Sequence, residues 1–147
     1  MDIVKLREQL VIDEGQVNEI YHDHLGYATF GIGHLVLDSD PEYGQEVGVS
    51  VSEERVFEVF DKDVQVVLAD CEICFEGWEG YPEEAKQVFA NMMFNMGRTR
   101  LSKFKKMVAA AEEGNWQEAA VQGRDSRWHK QVTNRAERLM VRLESIG

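Results

Sequence analysis

The sequence predicts an α+β fold: a small antiparallel β-sheet lobe joined by a long helix to a mostly helical lobe. Three observations carry that expectation. Ile3, Leu6, Leu10 and Val11 recur at near-helical spacing and stop at Gly15. From Ile20 to Leu35 the pattern shortens to Tyr, Thr, Phe and Ile punctuated by Gly26, Gly31 and Gly33, the signature of a small hairpin sheet. After residue 50 the pattern is helical almost throughout, and helices that follow strands rather than alternate with them define the α+β class.

Within that order, residues 38–50 are rich in turn formers and read as a loop that completes a third strand. Ser52 before Glu53 and Glu54 reads as a helix N-cap with acids favoured by the dipole. Val56, Phe60, Val64, Val67, Cys71 and Cys74 then hold a 3–4 spacing, so the helix is expected over about 52–75. Pro82 with Glu83 and Glu84 opens the next helix and Gly97 closes it; its centre is apolar nearly all round, as in a buried helix. Shorter helical patterns follow at 102–112, 115–122, 125–129 and 134–143. The whole of 1–147 is expected to be one domain, with a β-rich lobe over about 15–55 and a helical lobe from about 1–12 and 75–147.

Charge and composition narrow the function. The net charge of −11 argues against nucleic acid as partner, which calls for a basic surface. Residues 1–97 hold 5 basic and 21 acidic residues, whereas residues 98–147 hold 11 and 6, so a basic C-terminal third follows an acidic chain. No stretch reaches the roughly 20 apolar residues of a membrane helix, so no membrane insertion is expected. The first residues lack the apolar core of a secretory signal, and the expectation is synthesis into the cytoplasm. Cys71-Glu72-Ile73-Cys74 is a C-x-x-C, but it sits inside a helical pattern with no preceding strand, so two reduced thiols are expected. His22-Asp23-His24 alternates along a strand, with no third ligand set and no H-E-x-x-H, so no metal and no cofactor are expected.

The chemistry rests on carboxylates. With 27 of them, placement decides. Glu14 ends a helix just before a hairpin that carries Asp23 and Thr29. Glycoside hydrolysis needs one carboxylic acid to protonate the leaving oxygen and a second carboxylate to stabilise charge or activate water. A helix-terminal Glu near apolar residues suits the first task, because desolvation favours its neutral form, and a hairpin Asp open to solvent suits the second. On these grounds alone a pair of solvated surface acids is the better reading.

The resemblance moves the balance. Ile12-Asp13-Glu14-Gly15, Ile20-Tyr21-His22-Asp23 and Gly26-Tyr27-Ala28-Thr29-Phe30-Gly31-Ile32-Gly33-His34 resemble the phage-type lysozymes, glycoside hydrolase family 24, typified by T-even phage lysozyme. Ala90 to Gly97, Trp116 to Ala120, Ser126-Arg127-Trp128 and Asn134-Arg135-Ala136 continue the match in the same order, over nearly the whole chain. The resemblance implies a lysozyme-like fold and a catalytic set of Glu14 as general acid with Asp23 and Thr29 holding the attacking water. It further implies inversion, with carboxyl groups about 6.5–9.5 Å apart rather than the ~5–5.5 Å of retaining enzymes. Leu35, Asn91, Phe94, Asn95 and Gln122 fall at the family's sugar contacts. Arg135 matches an arginine near the general acid, and its charge opposes the desolvation effect. Arg138 is placed to pair with Asp13, and His34 with Asp63 on the following helix, both as supports. Trp128 matches a packing position.

The implied substrate is the peptidoglycan glycan strand, cut at the β-1,4 bond between N-acetylmuramic acid and N-acetylglucosamine. The implied setting is an endolysin, monomeric, held in the host cytoplasm until a holin releases it to the periplasmic wall. A lytic transglycosylase or a non-catalytic peptidoglycan-binding module is the alternative. The chain departs from the family at Leu25, where an acid is usual, in a shortened loop after residue 36, and at Gly147, before the family's C-terminal tail.

Overall fold

The computed structural model describes residues 1–147, as seven α-helices and a three-stranded sheet. Two compact units emerge, one of residues 7–65 and one of residues 1–6 with 66–147. Helices α1 (Ile3–Glu14) and α2 (Glu53–Cys74) each contribute to both.

In the smaller unit the sheet order is β1-β2-β3, antiparallel throughout, from β1 (Val17–His22), β2 (Ala28–Gly31) and β3 (His34–Leu35). Tyr21 pairs with Thr29, Thr29 with Leu35, and Phe30 with His34. Directly opposed residues share a face, so Tyr21, Thr29 and Leu35 form one row across all three strands. Gly26 has φ +87° in the β1–β2 turn, and Gly31 and Gly33, at +68° and +64°, fold β2 back into β3; an L side chain at any of these is strained. The third strand is therefore His34–Leu35, which corrects the expectation of one within 38–50. Those residues form successive turns, and only the end of the segment lies along β1: Ile20 donates to the Val49 carbonyl at 3.0 Å, and Val51 donates to that of Asn18 at 2.9 Å. Leu10, Ile20, Phe30, Ile32, Val56 and Phe60 are buried beneath.

Ser52 caps α2 as its sequence predicts, its Oγ accepting from the Arg55 amide at 3.1 Å. The 3–4 spacing of Val56, Phe60, Val64, Val67 and Cys71 becomes one buried stripe. Both cysteines are free thiols on this helix. Burial pushes the Cys71 thiol far up, which suits packing rather than redox chemistry.

The larger unit closes on aromatic rings. Phe75 and Phe89 stack with centroids 4.5 Å apart, and Tyr81 meets Trp116 edge-on at 5.1 Å. Truncating the fully buried Phe75 to Ala costs about 3–5 kcal/mol on that packing. A 3-10 turn (Trp78–Gly80) leads into α3 (Glu83–Leu101), which does not end at Gly97. Gly97 breaks the helix with φ +80°, ψ 165°, and one more turn follows to Leu101, whose side chain is fully buried. The next helix, α4 (Lys105–Glu112), starts three residues later than the pattern suggests, because residues 102–104 turn the chain. Then come α5 (Trp116–Arg124), α6 (Arg127–Gln131) and α7 (Thr133–Glu144). Asn115 and Ser126 cap α5 and α6 with side-chain oxygens that accept from the Glu118 and His129 amides. Gly123 lets α5 and α7 approach so closely that any Cβ there would run into the Met140 sulfur.

Candidate active site

Glu14 is the last residue of α1, half-buried, and Gly15 at φ +74° ends the helix immediately after it. The carboxylate lies against the turn that joins β2 to β3: a Cβ built on Gly33 would sit 2.7 Å from Glu14 Oε1.

Asp23 follows the end of β1 and organises the hairpin turn. Its Oδ1 accepts from the amides of Leu25 and Tyr27, both at 2.9 Å, and its own amide donates to the Tyr27 carbonyl at 2.9 Å. These bonds hold one carboxylate oxygen in the turn and leave Oδ2 for further chemistry. Thr29, only 3% exposed, donates its hydroxyl to the Tyr27 carbonyl at 2.9 Å. With its one proton spent there, the oxygen presents lone pairs, as an acceptor for a water needs to.

Tyr21 had no assigned role at the level of sequence. Across the strand pair it faces Thr29, and two residues on is Asp23. Burial raises its phenol pKa first, and the charges of Glu14 and then Asp23 raise it further. The hydroxyl therefore remains a protonated donor beside both acids. The signal was available: an aromatic two positions before a strand-end Asp shares that residue's side of the strand.

His34, beside Leu35 in β3, is braced on both nitrogens. Nδ1 lies 2.7 Å from Asp63 Oδ2 and Nε2 lies 2.8 Å from Asp40 Oδ2. Burial pulls the imidazole pKa down, but the bonds to Asp63 and Asp40 outweigh it and leave the pKa raised. Asp40 is pushed up by burial and down more strongly by the Leu37 amide, His34 and Arg55, for a lowered pKa overall. Arg55 extends the network, with Nε 3.0 Å and Nη2 3.1 Å from the two oxygens of Glu42. The pairing with Asp63 follows the sequence expectation; Asp40, Glu42 and Arg55 lie outside it.

The remaining sequence candidates have other positions. Leu35 is 49% exposed at the end of the sheet row. Asp13 is half-buried in the last turn of α1. In the larger unit, Asn91 is fully buried on α3 and its Oδ1 accepts from Arg135 Nε at 2.9 Å. Asn95 Oδ1 accepts from the indole N–H of Trp128 at 2.7 Å. Phe94 is half-buried between them in sequence, and Gln122 donates to Glu118 at 2.8 Å within α5. Arg138 is exposed on α7. The structure thus brings Glu14, Asp23, Thr29, Leu35 and His34 into the unit of residues 7–65, and Asn91, Phe94, Asn95, Gln122, Arg135 and Arg138 into the other.

The phage lysozyme family model matches residues 12–144. Probable T4-type lysozyme 2 of Dictyostelium discoideum is 30% identical over 97% of this chain and 95% of its own length. The pre-baseplate central spike protein Gp5 of Enterobacteria phage T4 is 29% identical over 98% of this chain, which covers 29% of that protein. The peptidoglycan hydrolase gp36 of Pseudomonas phage phiKMV is 27% identical over 97% of this chain and 15% of its own length. A helix-end glutamate, a hairpin aspartate and a match over almost the full length lead to one assignment: the chain belongs to the phage lysozyme family and is a glycoside hydrolase of the lysozyme type.

Proposed function

We propose that this lysozyme hydrolyses the β-1,4 bond between N-acetylmuramic acid and N-acetylglucosamine in peptidoglycan, with inversion, and that it does so for host cell lysis. Glu14 donates its proton to the glycosidic oxygen as the C1–O bond breaks. Asp23 and Thr29 hold a water on the opposite face of the ring; the water oxygen bonds to C1 and Asp23 takes its proton. The observation that carries this reading is the Asp23–Thr29 arrangement. One Asp23 oxygen is pinned by two amides and the Thr29 proton is committed to a carbonyl, so both residues offer fixed acceptors. Leu35, on the Thr29 row, gives an apolar surface for a sugar ring.

The test uses purified peptidoglycan with NMR of the freshly cut ends. Wild type should release reducing ends in the α configuration, and Glu14→Gln should lose on the order of 10²–10⁴-fold in rate, the usual contribution of a general acid. Asp23→Asn should fall similarly with intact folding. Anhydromuramyl ends would instead establish transglycosylation, and β products would establish retention. We further propose cytoplasmic accumulation and holin-dependent release; expression without a holin should leave cells unlysed until the inner membrane is permeabilised.

A further inference from the structure

We propose that Gly33 is a positioning residue for the proton donor: the space a side chain would take at Gly33 is where the Glu14 carboxylate sits. The inference rests on Glu14 being the general acid. Eight glycines have positive φ, and six of them have nothing within 4 Å of where a Cβ would be. Gly31 faces Val56, an apolar neighbour whose Cγ1 would lie a tight 3.1 Å from a Cβ. Gly33 alone of the eight faces a carboxylate, with Oε1 at 2.7 Å, the carboxyl carbon at 3.2 Å and Cγ at 3.4 Å from the missing Cβ. Three atoms of one acidic side chain therefore lie in or beside the space that a side chain at position 33 would take.

A side chain at position 33 would limit the rotamers open to Glu14. An alanine at position 33 would have to move Oε1 outward by about 0.7 Å to reach the 3.4 Å of ordinary contact, or send the side chain to another rotamer. Misplacement of a catalytic group by about 1 Å costs on the order of 100-fold in rate. Gly33 thus has two separable reasons to be glycine: its φ of +64°, and the carboxylate against it.

Gly44 separates them. Its φ is +82° and its missing Cβ faces open space in the same unit, so Gly44→Ala carries the backbone strain without the contact. On purified peptidoglycan, Gly33→Ala should lose about 10–100-fold in kcat with KM within about twofold. The alkaline limb of its pH–activity profile, which reports the proton donor, should be displaced. Gly44→Ala should match wild type within about twofold. Stability gives an independent reading. The drop in Tm caused by Gly33→Ala should exceed that of Gly44→Ala, and should shrink to the Gly44→Ala value in a Glu14→Ala background, where the obstructing side chain is gone. If Gly33→Ala fails to fold alone, recovery of folding by adding Glu14→Ala supports the contact. An equal Tm cost in both backgrounds overturns it, as does wild-type kcat and pH profile in Gly33→Ala while Glu14→Gln is inactive. Full activity of Glu14→Gln would instead remove the general-acid assignment itself, and with it the positioning role.

Discussion

Replacing His34 with Gln should destabilise the protein most between about pH 4 and 6.5, and progressively less outside that window. The imidazole is 5% exposed and spans two carboxylates at 2.7 and 2.8 Å. Hydrogen bonds to charged groups contribute about 1.5–3 kcal/mol each, and desolvation of the three groups offsets part of the sum. The carboxylates left behind are not stranded, since Asp40 keeps the Leu37 amide and Arg55, and Asp63 is 29% exposed to water. A net loss of about 2–3 kcal/mol follows. With an unfolding entropy of about 2.1 cal/mol/K per residue over 147 residues, that is a Tm lower by roughly 6–10 °C.

The pH dependence has two edges. The His34 pKa is raised above its ordinary 6.5, so its contribution is complete below about 6.5 and is lost as pH rises through the raised value. The Asp40 pKa is lowered from 3.8, so its contribution is present above that value and is lost as pH falls through the lowered one. Calorimetric melts from pH 3 to 9.5 should show the gap between wild type and His34→Gln open in the middle and narrow at both ends. Asp40→Asn and Asp63→Asn should each reproduce part of it. One molar salt should change it little, because the imidazole is shielded from counterions. A gap of constant size from pH 4.5 to 9.5 would show that His34 acts by shape alone and would refute the charged network.

Three further outcomes follow from other sites. Asn95→Ala should cost about 1–3 kcal/mol by orphaning the buried Trp128 N–H, measured by thermal melts, while Asn95→Asp keeps an acceptor and most of the stability. The Glu137 carboxyl is held down to about 2 by Arg124 first and His129 second, so its support exists above about pH 4.5 and disappears as pH falls through 2; Glu137→Gln should flatten the Tm–pH curve over that interval. The Tyr21 phenol should ionise at lower pH in Glu14→Gln than in wild type, read by NMR of tyrosine labelled with carbon-13 at the ring, because one of the two charges opposing phenolate formation is gone.

The long-range order of this fold is written in hydrophobic spacing, and the site is only partly so. Val56 through Cys71 repeat cleanly enough to define α2, and Ser52 marks its start, because both depend on neighbours within a few residues. The break at Gly97 reads as an end, since nothing local says that Leu101 will be fully buried and carry the helix on for another turn. Asn91 and Asn95 stand out as polar residues in an apolar helix, which is compatible with either a ligand or a protein partner. Only the packing of α6 and α7 shows that Trp128 and Arg135 occupy their oxygens. The acids of residues 38–50 look alike in sequence. Their turns single out Asp40 and Glu42, which meet His34 and Arg55, and no period-based reading can anticipate which members of an acidic loop turn inward. Glu14, Asp23 and Thr29 are candidates through the family resemblance that their spacing carries, whereas Tyr21 and Gly33 emerge only from the register of the sheet and the depth of a turn.

The division of α1 between two units sets an order on biosynthesis. Residues 1–6 leave the ribosome first, yet the unit they complete is otherwise built from residues 66–147. Asp2 is fastened there by Gln87, whose side-chain amide donates to its carbonyl at 2.8 Å, and by Glu83, which accepts from its amide at 3.1 Å. Both partners lie far downstream, 81 and 85 residues along the chain. Residues 1–6 must therefore wait for those partners while residues 7–65 emerge with every strand of their sheet. A circular permutant that moves residues 1–6 behind residue 147 would make the larger unit contiguous and abolish that wait, turning a question of geometry into one of translation timing.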